Sequence, residues 1–239
     1  MDLKGKRVLV IGGGSGIGLG IAKGAAQEGA TVLIASRDAK KIAEAAKNIG
    51  ATSAVIDASK EENIARFFKE HGTFDHIAFT AGEWESIVPG ALADLNLAKA
   101  AERLNTRFWG AIAVAKHGAI LLPAGGSYTL TNGMLAHRPM KGLPVVTAGA
   151  RAMEGLTIGL AVDLAPVRVN CVCPGLIETE MWDRFPKGYR DMMMAMTQKQ
   201  LVKRPGQTDE AGEAYLTCMR NSFMTGQVLK IEGGVALAS

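Results

Sequence analysis

Short apolar runs alternate along this chain with longer stretches in which apolar residues return every three or four positions. The run "RVLVI" (residues 7–11) is apolar and β-branched, as a buried strand requires, and glycines follow it. Next, "GIGLGIAKGAAQEG" predicts a helix ending at Gly29, "TVLIAS" a second strand, and "AKKIAEAAKNIG" a helix closed by Gly50. "SAVID", "ENIARFFKEHG" and "DHIAFTAG" continue as strand, helix and strand. In the second half the pattern predicts a long helix over 97–117, a strand in "GGSYTLTN" and a helix in "VVTAGARAMEGLTIGLAVDLA". "VRVNCVC" is another strand, and "TGQVLKIEGG" contains the last. Each strand is nearly continuous in apolar residues, which predicts burial on both faces of a parallel sheet. Strand, helix and strand at this spacing give right-handed crossovers. The fold expected for residues 1–239 is therefore a single α/β domain, a doubly wound parallel sheet between two helical layers.

One stretch breaks the rhythm. Residues 178–205, "ETEMWDRFPKGYRDMMMAMTQKQLVKRP", are methionine-rich and less regular. Two readings stay open: an amphipathic insert packed on the body, or a mobile lid whose thioethers adapt to apolar ligands. No apolar run is expected to approach the length of a membrane span.

Composition narrows the function classes. A hydrophobic fraction of 48% and a charged fraction of 21% suit a well-cored globular chain. The net charge of +4 comes from scattered basic residues, whereas a nucleic-acid surface needs a clustered stripe. Cys171, Cys173 and Cys218 form no Cys-x-x-Cys pair, and no cluster has metal-ligand spacing. With the charged start "MDLKGKRVLV", these features predict a soluble, cytoplasmic protein without metal.

"VLVIGGGSGIG" then points to chemistry. Gly12, Gly14, Ser15, Gly16, Ile17 and Gly18 join the first strand to the first helix. Glycines there permit a tight turn and close backbone approach, and the helix N-terminus offers free N–H groups to a pyrophosphate. The second strand ends "IASRD". In dinucleotide-binding folds an acidic residue at this tip accepts from the ribose 2′-hydroxyl, whereas an arginine pairs with a 2′-phosphate. Ser36 and Arg37 therefore predict NADP(H); the competing reading is an ordinary helix cap on Ser36 or Asp38.

These residues, taken together, resemble the short-chain dehydrogenases/reductases of classical size, nearly end to end. "GGGSGIG" matches that family's cofactor loop, "IDAS" its adenine-contacting pair as Asp57 and Ala58, and "TAG" its Asn-Ala-Gly motif. In that last motif Thr80 replaces the asparagine before Ala81 and Gly82. "EGLTIGLAVDLAPVRVNCVCPGLIET" looks like the active-site helix, the next strand and the Pro-Gly loop, and "TGQVLKIEGG" the C-terminal signature. The resemblance implies a Rossmann-type fold, with Pro174, Gly175, Ile177 and Thr179 against the nicotinamide half of the cofactor. It also implies a homodimer or homotetramer formed through the two long central helices.

The departures concern catalysis. The family's tyrosine exchanges the proton, its lysine holds the ribose and lowers the tyrosine pKa, its serine orients the carbonyl, and its asparagine completes a water relay. Those positions hold Val146, Ala150, Gly133 and Arg107. Tyr128 and Tyr189 lie elsewhere, and neither has a lysine four residues on. Arg107 and Asn132 are the leading candidates for catalytic polar groups, with Thr147 beside the tyrosine position and His137 expected on a surface loop. Three functions remain open: an atypical NADP(H)-dependent oxidoreductase acting on a small carbonyl, imine or alcohol; a cofactor-dependent isomerase or cyclase; and a non-catalytic cofactor-binding protein.

Overall fold

Alternation within the strands dictates where the two cores lie. In β1 (Arg7–Ile11), Val8 and Val10 face one side and Leu9 and Ile11 the other. The computed structural model describes residues 2–82 and 90–238. Beyond β1 the strands are β2 (Thr31–Ser36), β3 (Thr52–Val55), β4 (His76–Phe79), β5 (Ser127–Thr131), β6 (Arg168–Pro174) and β7 (Val228–Ile231). They pair in parallel in the order β3-β2-β1-β4-β5-β6-β7. Helices α1 (Gly16–Gln27), α2 (Ala39–Ile49) and α8 (Thr208–Arg220) cover Val8, Val10 and Ile34. Helices α3 (Glu61–His71), α5 (Ala111–His117) and α6 (Pro144–Asp163) cover Leu9, Ile77, Phe79 and Leu130. The doubly wound, Rossmann-type sheet is thus the observed fold. Its strand order reverses between β1 and β4, which opens a crevice at the carboxyl ends of the strands.

The structure departs from the expected elements in four places. β3 is an exposed edge strand, with Val55 58% accessible, so two-sided burial fails there. The expected 97–117 helix is broken into α4 (Leu97–Glu102), a π-helical turn (Asn105–Gly110) and α5. The Leu104 carbonyl accepts from both Phe108 N and Trp109 N at 3.0 Å, which widens the turn by one residue. Helix α8 is absent from the sequence reading. It packs on α1 through glycines: a Cβ at Gly20 would lie 2.2 Å from the Thr208 carbonyl oxygen. Finally, α6, with 20 residues, is long and apolar enough by length and composition to cross a membrane. Its inner face nevertheless packs on β6 and carries Ala150 and Met153 into the core.

A buried histidine gives the fold a testable acid sensitivity. His76 Nδ1 lies 2.9 Å from Ser127 Oγ inside the sheet. Burial, reinforced by the nearby Arg168 cation, pushes its pKa from 6.5 down to about 4. Below 6.5 the unfolded chain binds a proton that the folded chain refuses, so stability falls as pH drops from 6.5 towards 4. The loss attributable to this group approaches roughly 3 kcal/mol at the acid end. Urea unfolding across this range should show that slope, and His76→Gln should flatten it; an unchanged slope would rule His76 out.

Candidate active site

The glycine loop is built by close approach. Gly12 has φ 95°, and a Cβ there would lie 2.5 Å from Thr80 Oγ1 and 2.8 Å from Ala81 N. A Cβ at Gly18 would lie 2.2 Å from the Gly12 carbonyl oxygen. No side chain fits at either position, so backbone N–H groups at the start of α1 face a cleft of about 860 Å³. Gly12, Gly14, Ser15, Gly16, Ile17 and Gly18 all line it. So do Ser36, Arg37, Ala58, Ala81, Gly82 and Thr179. The glycine cradle fits a dinucleotide pyrophosphate. One N–H of the cradle already has an anion: Gly16 N donates to Glu180 Oε2 at 3.1 Å.

At the tip of β2, Arg37 and Lys41 both line the cleft, and sequence reasoning missed the lysine. Asp38 does cap α2, accepting from Lys41 N at 3.0 Å. Asp57 stands between the cleft residues Ile56 and Ala58 without lining the cleft itself; its carboxylate accepts from Ser59 Oγ at 2.6 Å and Ser59 N at 3.1 Å. The Ser59 hydroxyl bond is the main reason that its pKa is lowered.

The cleft continues at Ile17, Thr179 and Met181 into a second cavity of about 280 Å³. Pro174, Gly175 and Ile177 line this cavity rather than the cleft. Gly133, Val146 and Ala150 form part of its wall, as do Arg107 and Asn132. Thr147 does not line it. A Cβ at Gly133 would meet nothing within 4 Å, so packing does not forbid a side chain there. Residues 178–205 supply Met181, Trp182, Phe185, Tyr189 and three methionines of α7 (Tyr189–Thr197) to the wall. One segment both packs on the body and shapes the cavity.

The π-helical turn carries Arg107 inward. Arg107 Nη1 donates to the Thr131 carbonyl at 3.3 Å, and the guanidinium lies so close to Gly82 that a Cβ there would be 2.3 Å from Nη2. Asn132 is fully buried, and its amide donates to Glu154 Oε1 at 2.8 Å. One of the amide hydrogens expected to serve a substrate carbonyl is therefore committed to the protein. His137 also needs correcting: it is mostly buried, with Nε2 2.7 Å from Glu154 Oε1. Tyr128 is remote from the cavity, donating to the Ala111 carbonyl at 3.0 Å. Tyr189 and Arg103 reach the cavity wall, and sequence reasoning singled out neither as a cavity residue. Phe185 stacks on the Tyr189 ring at 4.1 Å, and burial pushes the phenol pKa up.

A doubly wound sheet with a glycine cradle at its switch point defines a dinucleotide-binding fold. The comparisons place it further: the chain belongs to the short-chain dehydrogenase/reductase family, whose members bind nicotinamide cofactors. A family profile described as enoyl-(acyl carrier protein) reductase matches residues 12–236. The short-chain dehydrogenase/reductase fsr5 of Gibberella fujikuroi is 32% identical, the match covering 99% of this chain and 96% of that one. The MalC reductase/Diels-Alderase of Malbranchea aurantiaca has a similar structure, with TM-score 0.90 and 31% identity over 98% of this chain and 97% of that one. A small-chain dehydrogenase in complex with NADPH matches at TM-score 0.84 and 35% identity, covering 98% of this chain and all of that one.

The Glu180 contact yields a prediction for cofactor binding. A carboxylate at the α1 N-terminus occupies the donor that a pyrophosphate needs and repels its charge. Glu180→Gln should tighten NADPH binding roughly two- to fivefold in a fluorescence titration. Weaker binding by the variant would mean that Glu180 helps to hold the cofactor.

Proposed function

We propose that this protein is an NADP(H)-dependent oxidoreductase acting on a small, largely apolar carbonyl, imine or alcohol without the family's tyrosine. The observation that carries this reading is the continuity of the cofactor cleft with a cavity walled by Gly133, Val146 and Ala150. Bound NADP(H) supplies or accepts the hydride. The chain's own residues hold the phosphates, exclude water through the methionine and aromatic wall, and set the cation of Arg107 beside the reacting region.

An imine that is already activated needs no phenolic donor, whereas a simple ketone does. Simple ketones should turn over roughly a hundredfold or more slowly than activated carbonyls or imines, the usual worth of a general acid. Following NADPH oxidation and product together tests both claims. Oxidation matched by reduced product supports the reading, and brisk reduction of simple ketones would mean that another residue replaces the tyrosine. A product of unchanged oxidation state would support the second reading, cyclisation or isomerisation in a cofactor-shaped cavity. The dry wall and the likeness to a protein named reductase/Diels-Alderase favour that alternative. Tight cofactor binding without turnover would leave a binding protein.

The exposed faces of the central helices, with Trp109 58%, Ile158 58% and Val162 74% accessible, support a homodimer or homotetramer. Light scattering tests that proposal. Cytoplasmic residence, suggested by the cysteine pattern, belongs to the same proposal.

A further inference from the structure

Among the described residues, the charged side chains of the cavity wall are Arg103 and Arg107. Arg103 ends α4, and Arg107 follows one turn later, so both side chains reach the same wall. Arg103 is half-buried, and its guanidinium makes no hydrogen bond or ion pair with any described residue. No Asp or Glu belongs to the wall among the described residues. Its other side chains are overwhelmingly apolar, with Met134, Met140, Met192, Met193 and Met196 prominent.

Apolar walls keep out the water that would screen a charge, so an ion pair formed inside them gains more than one on an open surface. A guanidinium also offers a planar fork that matches a carboxylate in geometry. A cation brought into this cavity meets like charge, and a neutral molecule leaves the fork unused. The residues shared with the cofactor cleft, Ile17, Thr179 and Met181, carry no charge.

We propose that the substrate is an apolar molecule bearing a carboxylate, which Arg103 seats while the reacting carbon lies at the junction with the cleft. This proposal rests on the oxidoreductase reading for its reacting carbon. The anion subsite itself is tested by binding alone. Arg103 is then a specificity residue that selects acids over neutral and cationic molecules of the same shape.

Three matched probes decide it: hydrocinnamate, hydrocinnamyl alcohol and phenylpropylammonium, titrated calorimetrically into the protein with and without NADP⁺. The carboxylate should bind about tenfold tighter than the alcohol, the lower end for a charge-assisted bond, and the ammonium most weakly. Arg103→Gln should remove that preference and leave alcohol binding unchanged, while Arg103→Lys should keep part of it. The proposal is overturned if alcohol and acid bind equally, if the ammonium binds tightest, or if the acid does not bind at millimolar concentration. Equal weakening of acid and alcohol in Arg103→Gln would also overturn it, because that is the mark of a damaged wall. A panel of activated carbonyls, imines and alcohols run in parallel separates the two readings. Anion preference with neither NADPH oxidation nor NADP⁺ reduction across that panel would sink the oxidoreductase reading and leave the subsite standing.

Discussion

Arg37→Ala is expected to bind NADPH about 10- to 150-fold more weakly while its affinity for NADH stays within twofold of the parent. The range is that of one hydrogen bond to a charged group, about 1.5–3 kcal/mol. Three features of the β2 tip support it. Arg37 lines the cleft from an exposed position where a dianionic phosphate can reach it. Lys41 lines the same region one helical turn on and supplies a second cation. Asp38, the carboxylate that would favour a ribose hydroxyl, is engaged as the α2 cap through Lys41 N. The lysine should leave a residual preference in Arg37→Ala, and removing both cations should abolish it. Equal affinity of the parent for the two cofactors would overturn the assignment of NADP(H). So would an undiminished preference in Arg37→Ala.

The glycine loop between β1 and α1 was readable in the sequence because its physics is local. A buried strand, a glycine turn and a helix start lie within about a dozen residues, and each leaves its own periodicity or residue type. Helix α8 leaves a weaker trace. Its buried face is Ala211, Gly212, Ala214, Tyr215, Leu216, Cys218 and Met219, and the small residues at its start are there for close packing on Gly20. Its capping box also uses Gln207 where a serine or threonine would have announced a helix.

The π-helical turn was illegible for another reason. The extra residue changes which amide meets the Leu104 carbonyl but hardly disturbs the apolar spacing of "LNTRFWGAIAVA". The close approach of Gly110 to the Ala58 carbonyl oxygen, 2.2 Å from where a Cβ would sit, is a tertiary demand that no local pattern encodes. Tyr189 and Arg103 reach the cavity for similar reasons, from segments remote in sequence from the glycine loop. By contrast, Val146, Ala150 and Gly133, which stand where the resemblance expects tyrosine, lysine and serine, could be read directly, whereas the groups that share their wall could not.

Arg107→Ala is therefore the more revealing experiment on the chemistry. At the family's lysine position the short Ala150 leaves room in the cavity wall, and Arg107 stands on the same wall from the asparagine position. Its guanidinium lies on Gly82, beside the cofactor cleft, and is tied to the Thr131 carbonyl at the end of β5. A group tied to a strand end is positioned before substrate arrives, which is what electrostatic stabilisation of a developing oxyanion requires. It cannot serve as the acid, because a guanidinium does not release its proton at working pH. Removing one such donor costs about 100- to 1,000-fold in turnover where the oxyanion forms in a dry site. Arg107→Ala should fall in that range in kcat, with its melting temperature and oligomeric state nearly unchanged. Arg107→Lys should recover only part, since an ammonium lacks the two-pronged geometry. Adding Ala150→Lys to Arg107→Ala should also restore some activity, by returning a cation to the position the family uses. Normal cofactor affinity and turnover in Arg107→Ala, with dissociated oligomers, would assign the arginine to a subunit contact instead.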